Sequence, residues 1–412
     1  MIPCIHTLLA SRVFVVLACV ISVAWLWRIL PALFLLPRIP NLHDEKFDTA
    51  SRNVLPPSLT VIVPACNEEA SIAAALRVLL SSEYANLQVI AVNDRSTDAT
   101  GAQMERVASE AIAQGRLRVL HIDALPEGWL GKPHAMAQAA QLAQSEWLLF
   151  TDADIFFAPD VLRRALACAV ETQADHMVVY PTLILRRWDE RGFLGFFQCF
   201  SVWAGRPWQI ANPRAKRDFI GVGAFNLIRR EVYEQLGGFA AMPMEVLEDI
   251  RLGYCVKQAG FAQRSAFGRD MVRVRWAEGA LGVVHNLSKN MFAAFRYRVP
   301  LLLAACAGIL LLCLTPVVAL FAPGPARWAG GATFLAMALL HLRYWPQTRI
   351  SPLNLYFFPF GSLLFAYTML RSMTLILWRG GVLWRGTLYP LATLRKMANT
   401  QKPGSTAVQD LR

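Results

Sequence analysis

Four short polar clusters and one later acidic pair hold most of the residues in this chain that could do chemistry. Asp152-Ala153-Asp154 is the sharpest. Alternate carboxylates after the apolar run Trp147-Leu148-Leu149-Phe150 bring hard oxygen ligands toward one point, which suits Mg²⁺ or Mn²⁺ carrying a diphosphate. A solvated turn would use the same residues. Lys132 ends the loop Gly128-Trp129-Leu130-Gly131-Lys132, and a lysine after two glycines suits a phosphate as a point charge. Pro64-Ala65-Cys66-Asn67-Glu68-Glu69 and Asn93-Asp94-Arg95-Ser96-Thr97-Asp98 are the other two clusters. Taken singly, Asn67 or Asp98 would serve equally well as a helix cap. Glu248-Asp249 precedes Ile250 to Val256, a run of helical spacing. A carboxylate there could accept the proton of an attacking hydroxyl, or simply favour the start of the helix.

The clusters have a common setting. Each follows an apolar, β-rich run: Leu59 to Val63, Val89 to Val92, Leu117 to Leu120 and Trp147 to Phe150. The runs start at intervals of roughly 30 residues, the length of a strand-helix unit. Between them, Ser71 to Leu80 and Thr97 to Gln114 have helical apolar spacing. This predicts an α/β fold, a mostly parallel sheet with helices on both faces. Ligands in such a sheet bind beyond the carboxyl ends of the strands, where the polar clusters fall.

Composition adds a membrane. Of 412 residues 55% are hydrophobic and only 17% charged, which excludes a disordered chain and argues against an ordinary cytosolic protein. The apolar excess lies at the two ends. Val13 to Trp27, continued to Leu36, is long enough to cross if Arg28 snorkels to the interface. Val299 to Ala326, Trp328 to Leu342 and Ile350 to Leu370 are the later candidates, with Pro359-Phe360-Gly361 expected to break a helix in the last. The tail from Arg371 is basic, so the positive-inside rule puts it in the cytoplasm. One early and three late passes would leave it outside. The Pro359 segment is therefore expected to be re-entrant or interfacial. The charge of +12 fits an anionic lipid surface, and no basic stripe interleaved with aromatics points to nucleic acid. The eight cysteines include no Cys-x-x-Cys and no zinc spacing.

Pro64-Ala-Cys-Asn-Glu-Glu, Asn93-Asp-Arg-Ser-Thr-Asp, Gly131-Lys132 and Asp152-Ala-Asp154, in that order, resemble a family 2 glycosyltransferase over roughly residues 58 to 290. The Gly-Trp-Leu-Gly-Lys loop and the flanking membrane segments resemble the group of ceramide, hopanoid-associated and carotenoid glucosyltransferases. The resemblance implies a GT-A fold, a nucleotide-sugar donor with UDP-glucose as default, and inversion at the anomeric carbon. It implies that Ala65, Asn67 and Glu68 line the uridine pocket and that Asp94 faces the base or ribose. It implies Asp152 on the nucleotide and metal, Asp154 on the metal, and Glu248-Asp249 as the pair supplying the base. Val272-Arg273-Val274-Arg275-Trp276 resembles the family's signature ending in Arg-Trp, with Val272 where the family opens on Gln or Arg. Arg275 and Trp276 are candidate acceptor or diphosphate contacts.

The expected layout is a membrane anchor over 1–38, a linker over 39–57, a GT-A domain over 58–298, a membrane region over 299–383 and a basic tail over 384–412. The expected activity is transfer of a sugar to a lipid hydroxyl at the cytoplasmic face of the inner membrane. The partners are then the donor, a lipid acceptor and the bilayer, without nucleic acid. A processive polysaccharide synthase and a catalytically silent nucleotide-sugar binder are the competing readings. Phe219-Ile-Gly-Val-Gly-Ala224 is read as a tight backbone approach beside the sugar. Phe193 to Trp208 is read as either an interfacial helix or core. His285 and Lys289 are read as headgroup contacts or surface.

Overall fold

In the computed structural model, which describes residues 11–53, 56–113 and 115–400, the chain divides into two compact units. The described parts of Ile39–Ile184, Gln209–Arg275 and the segment from Thr393 form one. Those of Leu185–Trp208, Trp276–Ala392 and the segment up to Arg38 form the other.

The first unit is built on a seven-stranded sheet. Its strands are β1 (Leu59–Ala65), β2 (Leu87–Asp94), β3 (Leu117–Ile122) and β4 (Trp147–Phe150), with β6 (His176–Tyr180), β8 (Asn226–Arg229) and β9 (Gln263–Phe267). A small second sheet uses β5 (Ile155–Phe157), β7 (Thr182–Leu183) and β10 (Val272–Val274). The large sheet runs β3-β2-β1-β4-β8-β6-β9, parallel except at β8, which lies antiparallel to both neighbours. All four strands anticipated from sequence form, each in its expected place. Register aligns their ends: Ala65 pairs with Asn93, and Ile62 with Phe150. The polar clusters after β1, β2 and β4 therefore meet at one edge.

Strand periodicity sorts the core into two layers. Val61, Val63, Val89, Ala91 and Leu149 face the helices Ile72–Leu80, Thr100–Ala108 and Val161–Glu171. Ile62, Ile90, Val92, Leu148 and Phe150 face the helices Gly131–Leu142 and Glu248–Ala259. Both faces are covered, so the strands read as continuous apolar runs rather than alternating ones. The second helix starts at Thr100, not Thr97. Asp98 Oδ1 accepts from Thr100 N–H at 2.9 Å and from its hydroxyl at 2.5 Å, so a turn precedes the helix. It ends at Ala108, and Gln114, the expected end, lies outside the described residues.

The second unit is helical. Among the described residues, three helical stretches are long and apolar enough to cross a membrane: Arg12–Arg38, Val299–Ala319 and Pro352–Arg379. The Pro359 segment is not broken. Pro359 lies in the first turn of the helix Phe358–Arg379, where its missing N–H leaves no hydrogen bond unmade. Trp328 to Leu342 lies instead inside the helix Pro325–Thr348, whose Arg327 and Arg343 lower its hydropathy and which is not one of the three. Indole donors find backbone partners: Trp25 Nε1 donates to Leu312 O at 2.9 Å and Trp203 Nε1 to Ala24 O at 3.1 Å. Such pairing removes the cost of an unsatisfied polar group in hydrocarbon.

The helix Trp188–Gly205 buries Phe193, Leu194, Phe196 and Cys199. Phe196 packs on Phe358 and Phe365, with centroids 5.2 and 6.0 Å away, so this face is core of the helical unit. Lys289 sits 4.5 Å over the Trp384 ring, and His285 is exposed.

Candidate active site

The loops after β1 and β2 are stapled together. Asn67, in the left-handed region at φ 56°, accepts from Thr97 N–H at 2.8 Å through Oδ1, and its own N–H donates to Ser96 Oγ at 3.1 Å. Glu68 N–H donates to Thr100 Oγ1 at 2.8 Å. Glu69 Oε2 accepts from Ala99 N–H at 2.9 Å. Asn67 thus ties the two loops together and Asp98 closes a turn, and neither gives a side-chain cap to the helix that follows it. Ala65 is buried at the end of β1, beside Asn93.

Asp94 is 5% exposed and held by both arms of its neighbour: Arg95 Nε donates to Oδ1 at 2.7 Å and Nη2 to Oδ2 at 2.9 Å. The helix Gly131–Leu142 opens against this pair. A Cβ at Gly131 would stand 2.5 Å from Asp94 Oδ2 and overlap the Arg95 guanidinium, so a side chain there would push the pair out of place.

Lys132 follows directly and reaches the centre of the edge. Its Nζ stands 2.7 Å from Asp152 Oδ1 and 2.7 Å from Glu248 Oε1. Burial disfavours the ammonium, but the carboxylates of Asp152, Glu248 and Asp249 outweigh it and raise the pKa well above the usual lysine value. Glu248 is 6% exposed, and burial raises its pKa against the pull of Lys132. Glu248 and Asp249 lie inside the first turn of the helix Glu248–Ala259 rather than ahead of it. The Asp249 carboxylate accepts from Ile250 N–H at 2.8 Å and from Gly223 N–H. Its pKa is raised, by burial first, with Lys132 opposing.

Both glycines of Phe219–Ala224 are close backbone approaches, as expected. A Cβ at Gly221 would overlap the Asp249 carbonyl, and one at Gly223 would stand 2.9 Å from Asp152 Oδ2.

Asp154 faces solvent beside this cluster. Desolvation within the concavity, then the carboxylates of Asp152 and Glu68, push its pKa up to about 6. Among the described residues no three His, Cys, Asp or Glu side chains close into a complete metal cage. One or two carboxylates completed by a diphosphate and waters is the ordinary arrangement for a nucleotide-bound Mg²⁺, and Asp154 with Asp152 fits it. A cation there would relieve the repulsion that lifts Asp154. Affinity for a divalent cation should then fall as pH drops through about 6 and Asp154 takes up a proton, by up to about tenfold per unit for a single ligand. Calorimetry at pH 7.5 and 5.0 checks this; equal affinities would remove Asp154 from the ligand set.

Arg275 is half-buried just after β10, in the sheet unit, and Trp276 begins the return of the chain into the helical unit. The Trp276 ring packs on Phe197 at 5.6 Å, and its carbonyl accepts from Asn286 Nδ2 at 2.6 Å. Sequence reasoning missed Arg95, and it missed the buried polar residues His176, Asn226 and Gln263 behind the Phe219–Ala224 loop. Arg95 stood within a quoted motif; the other three carry no spacing signal.

The sequence model for glycosyl transferase family 2 matches residues 60–237. A 4,4'-diaponeurosporenoate glycosyltransferase of Staphylococcus aureus (strain MRSA252) is 28% identical over 198 residues, 48% of this chain and 50% of that protein. The enzyme of the same description from strain N315 is 27% identical over 211 residues, 51% and 54% of the two chains. The chain thus spans about half the length of the curated relatives it matches. Among solved structures, a mannosyltransferase from Pyrobaculum calidifontis in complex with GDP-mannose and Mn²⁺ aligns with 89% of this chain and 99% of its own, with a TM-score of 0.51 at 18% identity. At that identity the likeness speaks for the fold. Strand order, loaded sheet edge and family match agree, and they make residues 60–237 a glycosyltransferase family 2 domain on a GT-A fold.

Proposed function

We propose that this chain is an inverting glycosyltransferase that moves a sugar from a nucleoside diphosphate, UDP-glucose being the first donor to try, onto a hydroxyl of a membrane lipid. The observation that carries it is the convergence of Lys132, Asp152, Glu248 and Asp249 at one sheet edge in a chain with three membrane-spanning candidates.

In this reading the acceptor oxygen attacks the anomeric carbon, the bond from that carbon to the phosphate oxygen breaks, and the nucleoside diphosphate leaves with the electron pair. The hydroxyl proton passes to the Asp249 carboxylate, whose raised pKa suits it to accept one. Lys132 turns from its carboxylate partners to the departing phosphate and stabilises the charge that grows there. Asp154 and Asp152 would hold a divalent cation, which when bound would neutralise charge on the leaving diphosphate. Excess chelator should therefore abolish activity, and Mn²⁺ or Mg²⁺ should restore it; full turnover in chelator would exclude the metal role.

Arg28 and Arg38 near the first span, with Arg371, Arg379, Arg385, Arg395 and Lys396 around and after the last, support a cytoplasmic catalytic domain. Three crossings, with the N-terminus outside, also bring the tail to the cytoplasm, which removes the parity conflict of four. Single cysteines introduced over Asp123 to Glu127 should be labelled only after the membrane is made permeable. Labelling from outside intact cells would reverse the orientation.

The carotenoid-derived name of the relatives and the membrane spans support a lipid acceptor. Purified protein, labelled UDP-sugar and a total lipid extract should give label that partitions into organic solvent as a discrete species. A polymer ladder left in water would favour a polysaccharide synthase, and no transfer with retained UDP binding would favour a silent nucleotide-sugar binder.

A further inference from the structure

The Phe219–Ala224 loop holds Asp249 twice, through the Gly223 N–H on its carboxylate and through Gly221 packed on its carbonyl. A loop of this kind is soft unless something fixes it. Behind it lies a chain of three buried polar side chains from three strands. His176 on β6 is 0% exposed, Asn226 on β8 is 1% and Gln263 on β9 is 1%.

Their hydrogen bonds define a direction. His176 Nε2 lies 2.5 Å from Asn226 Oδ1, an oxygen that only accepts, so Nε2 carries the proton. Nδ1 is then the acceptor, and Gln263 Nε2 donates to it at 3.0 Å. The same amide nitrogen lies 3.1 Å from Ile220 O and 3.0 Å from Gly253 O, while Gln263 Oε1 accepts from Ile220 N–H at 3.1 Å. Gln263 therefore grips both backbone groups of Ile220 and one carbonyl of the helix that begins with Glu248-Asp249. A Cβ at Gly253 would overlap the Ile220 carbonyl, so loop and helix touch at this point without a side chain between them. Burial holds the His176 pKa down to about 4, which keeps the ring neutral and the direction of the chain fixed.

We infer that Gln263, oriented by His176 and Asn226, is the positioning residue that sets the Ile220–Gly223 loop and through it the reach of Asp249. This rests on Asp249 being the base of the proposed transfer. An apolar residue at 263 could fill the space, but it would leave the partly buried Ile220 N–H and carbonyl without their side-chain partner, whereas the Gly253 carbonyl keeps its bond within the helix. Local satisfaction of those groups is a structural task; fixing the Gly223 N–H against a reacting carboxylate is a catalytic one.

The test uses the full-length protein in detergent. Gln263→Met keeps length and volume and removes the bonds. Hydrogen exchange should speed at least tenfold in peptides covering 219–225 and 247–253, with β1, β2 and β4 unchanged. Turnover per UDP-binding site, counted by calorimetry, should fall at least tenfold, while donor KM and UDP affinity stay within about threefold. Asn226→Ser, a smaller change that leaves Gln263 in place, should show the same pattern at reduced size and serves should Gln263→Met not fold. Exchange that is unchanged or raised throughout the domain, or full turnover per UDP-binding site, would overturn the inference. Turnover is followed both as lipid-linked label and as donor hydrolysis. Loss of the lipid product alone in the wild type counts against the acceptor, whereas the exchange map and hydrolysis still decide the role of Gln263.

Discussion

Asp249→Asn should leave Mn²⁺–UDP binding within about threefold of wild type and lower transfer by about two to four orders of magnitude. The side chain keeps its shape and one oxygen for the Ile250 and Gly223 N–H groups that hold Asp249. What it loses is the capacity to take a proton. Its charge is not needed to hold Lys132, whose direct partners at 2.7 Å are Asp152 and Glu248. Donor binding and proton acceptance therefore separate at this position. Calorimetry beside a transfer assay checks it: loss of UDP binding in step with turnover would make Asp249 structural and move the base elsewhere.

Lys132→Met should behave in the opposite way and fail in binding and turnover together. The ammonium stands 2.7 Å from both the Asp152 and the Glu248 carboxylate. In the proposed transfer its removal takes away the charge meant for the diphosphate, which for a positioned electrostatic group costs about 10²–10³ in rate. It also leaves Glu248, 6% exposed, without its cation. Breaking a fully buried pair costs about 3–5 kcal/mol, and Lys132 is 23% exposed, so a smaller loss is expected. Glu248 can also relax by taking up a proton, since burial already raises its pKa. Lys132→Arg should rescue little, because a planar fork cannot replace a point charge between two carboxylates. Donor affinity, turnover and thermal midpoint measured on both variants check this. An arginine variant near wild type would show that charge alone, not shape, matters there.

The parallel half of the sheet was legible because β1, β2 and β4 are largely buried on both faces and read as apolar runs ending in polar clusters, with the more exposed edge strand β3 following at the same interval. The far half was not. β8 is only four residues long, runs antiparallel and starts on a buried asparagine, which in sequence looks like a loop residue. His176 and Gln263 are separated by 87 positions, and nothing in their spacing announces that they meet. Among site residues, Lys132, Asp152, Glu248 and Asp249 were legible from motif order. The hydrogen bonds by which Asn67 joins the two loops and Asp98 closes a turn are ones that no sequence displays. Pro359 misled for a positional reason: a proline in the first turn starts a helix, and the same residue a few positions later would have broken it.

The sheet edge gathers Asp152, Asp154, Glu248 and Asp249 around Lys132, four carboxylates to one ammonium. Such a basin repels a naked diphosphate and attracts a cation. Nucleotide and metal should therefore help one another in, and by thermodynamic linkage UDP must tighten Mn²⁺ by the same factor that Mn²⁺ tightens UDP. The discharged nucleotide, once it loses its ion, meets the same repulsion from behind. In the proposed transfer, the acidic ring that makes entry conditional would thus also eject the spent nucleotide at the end of each cycle.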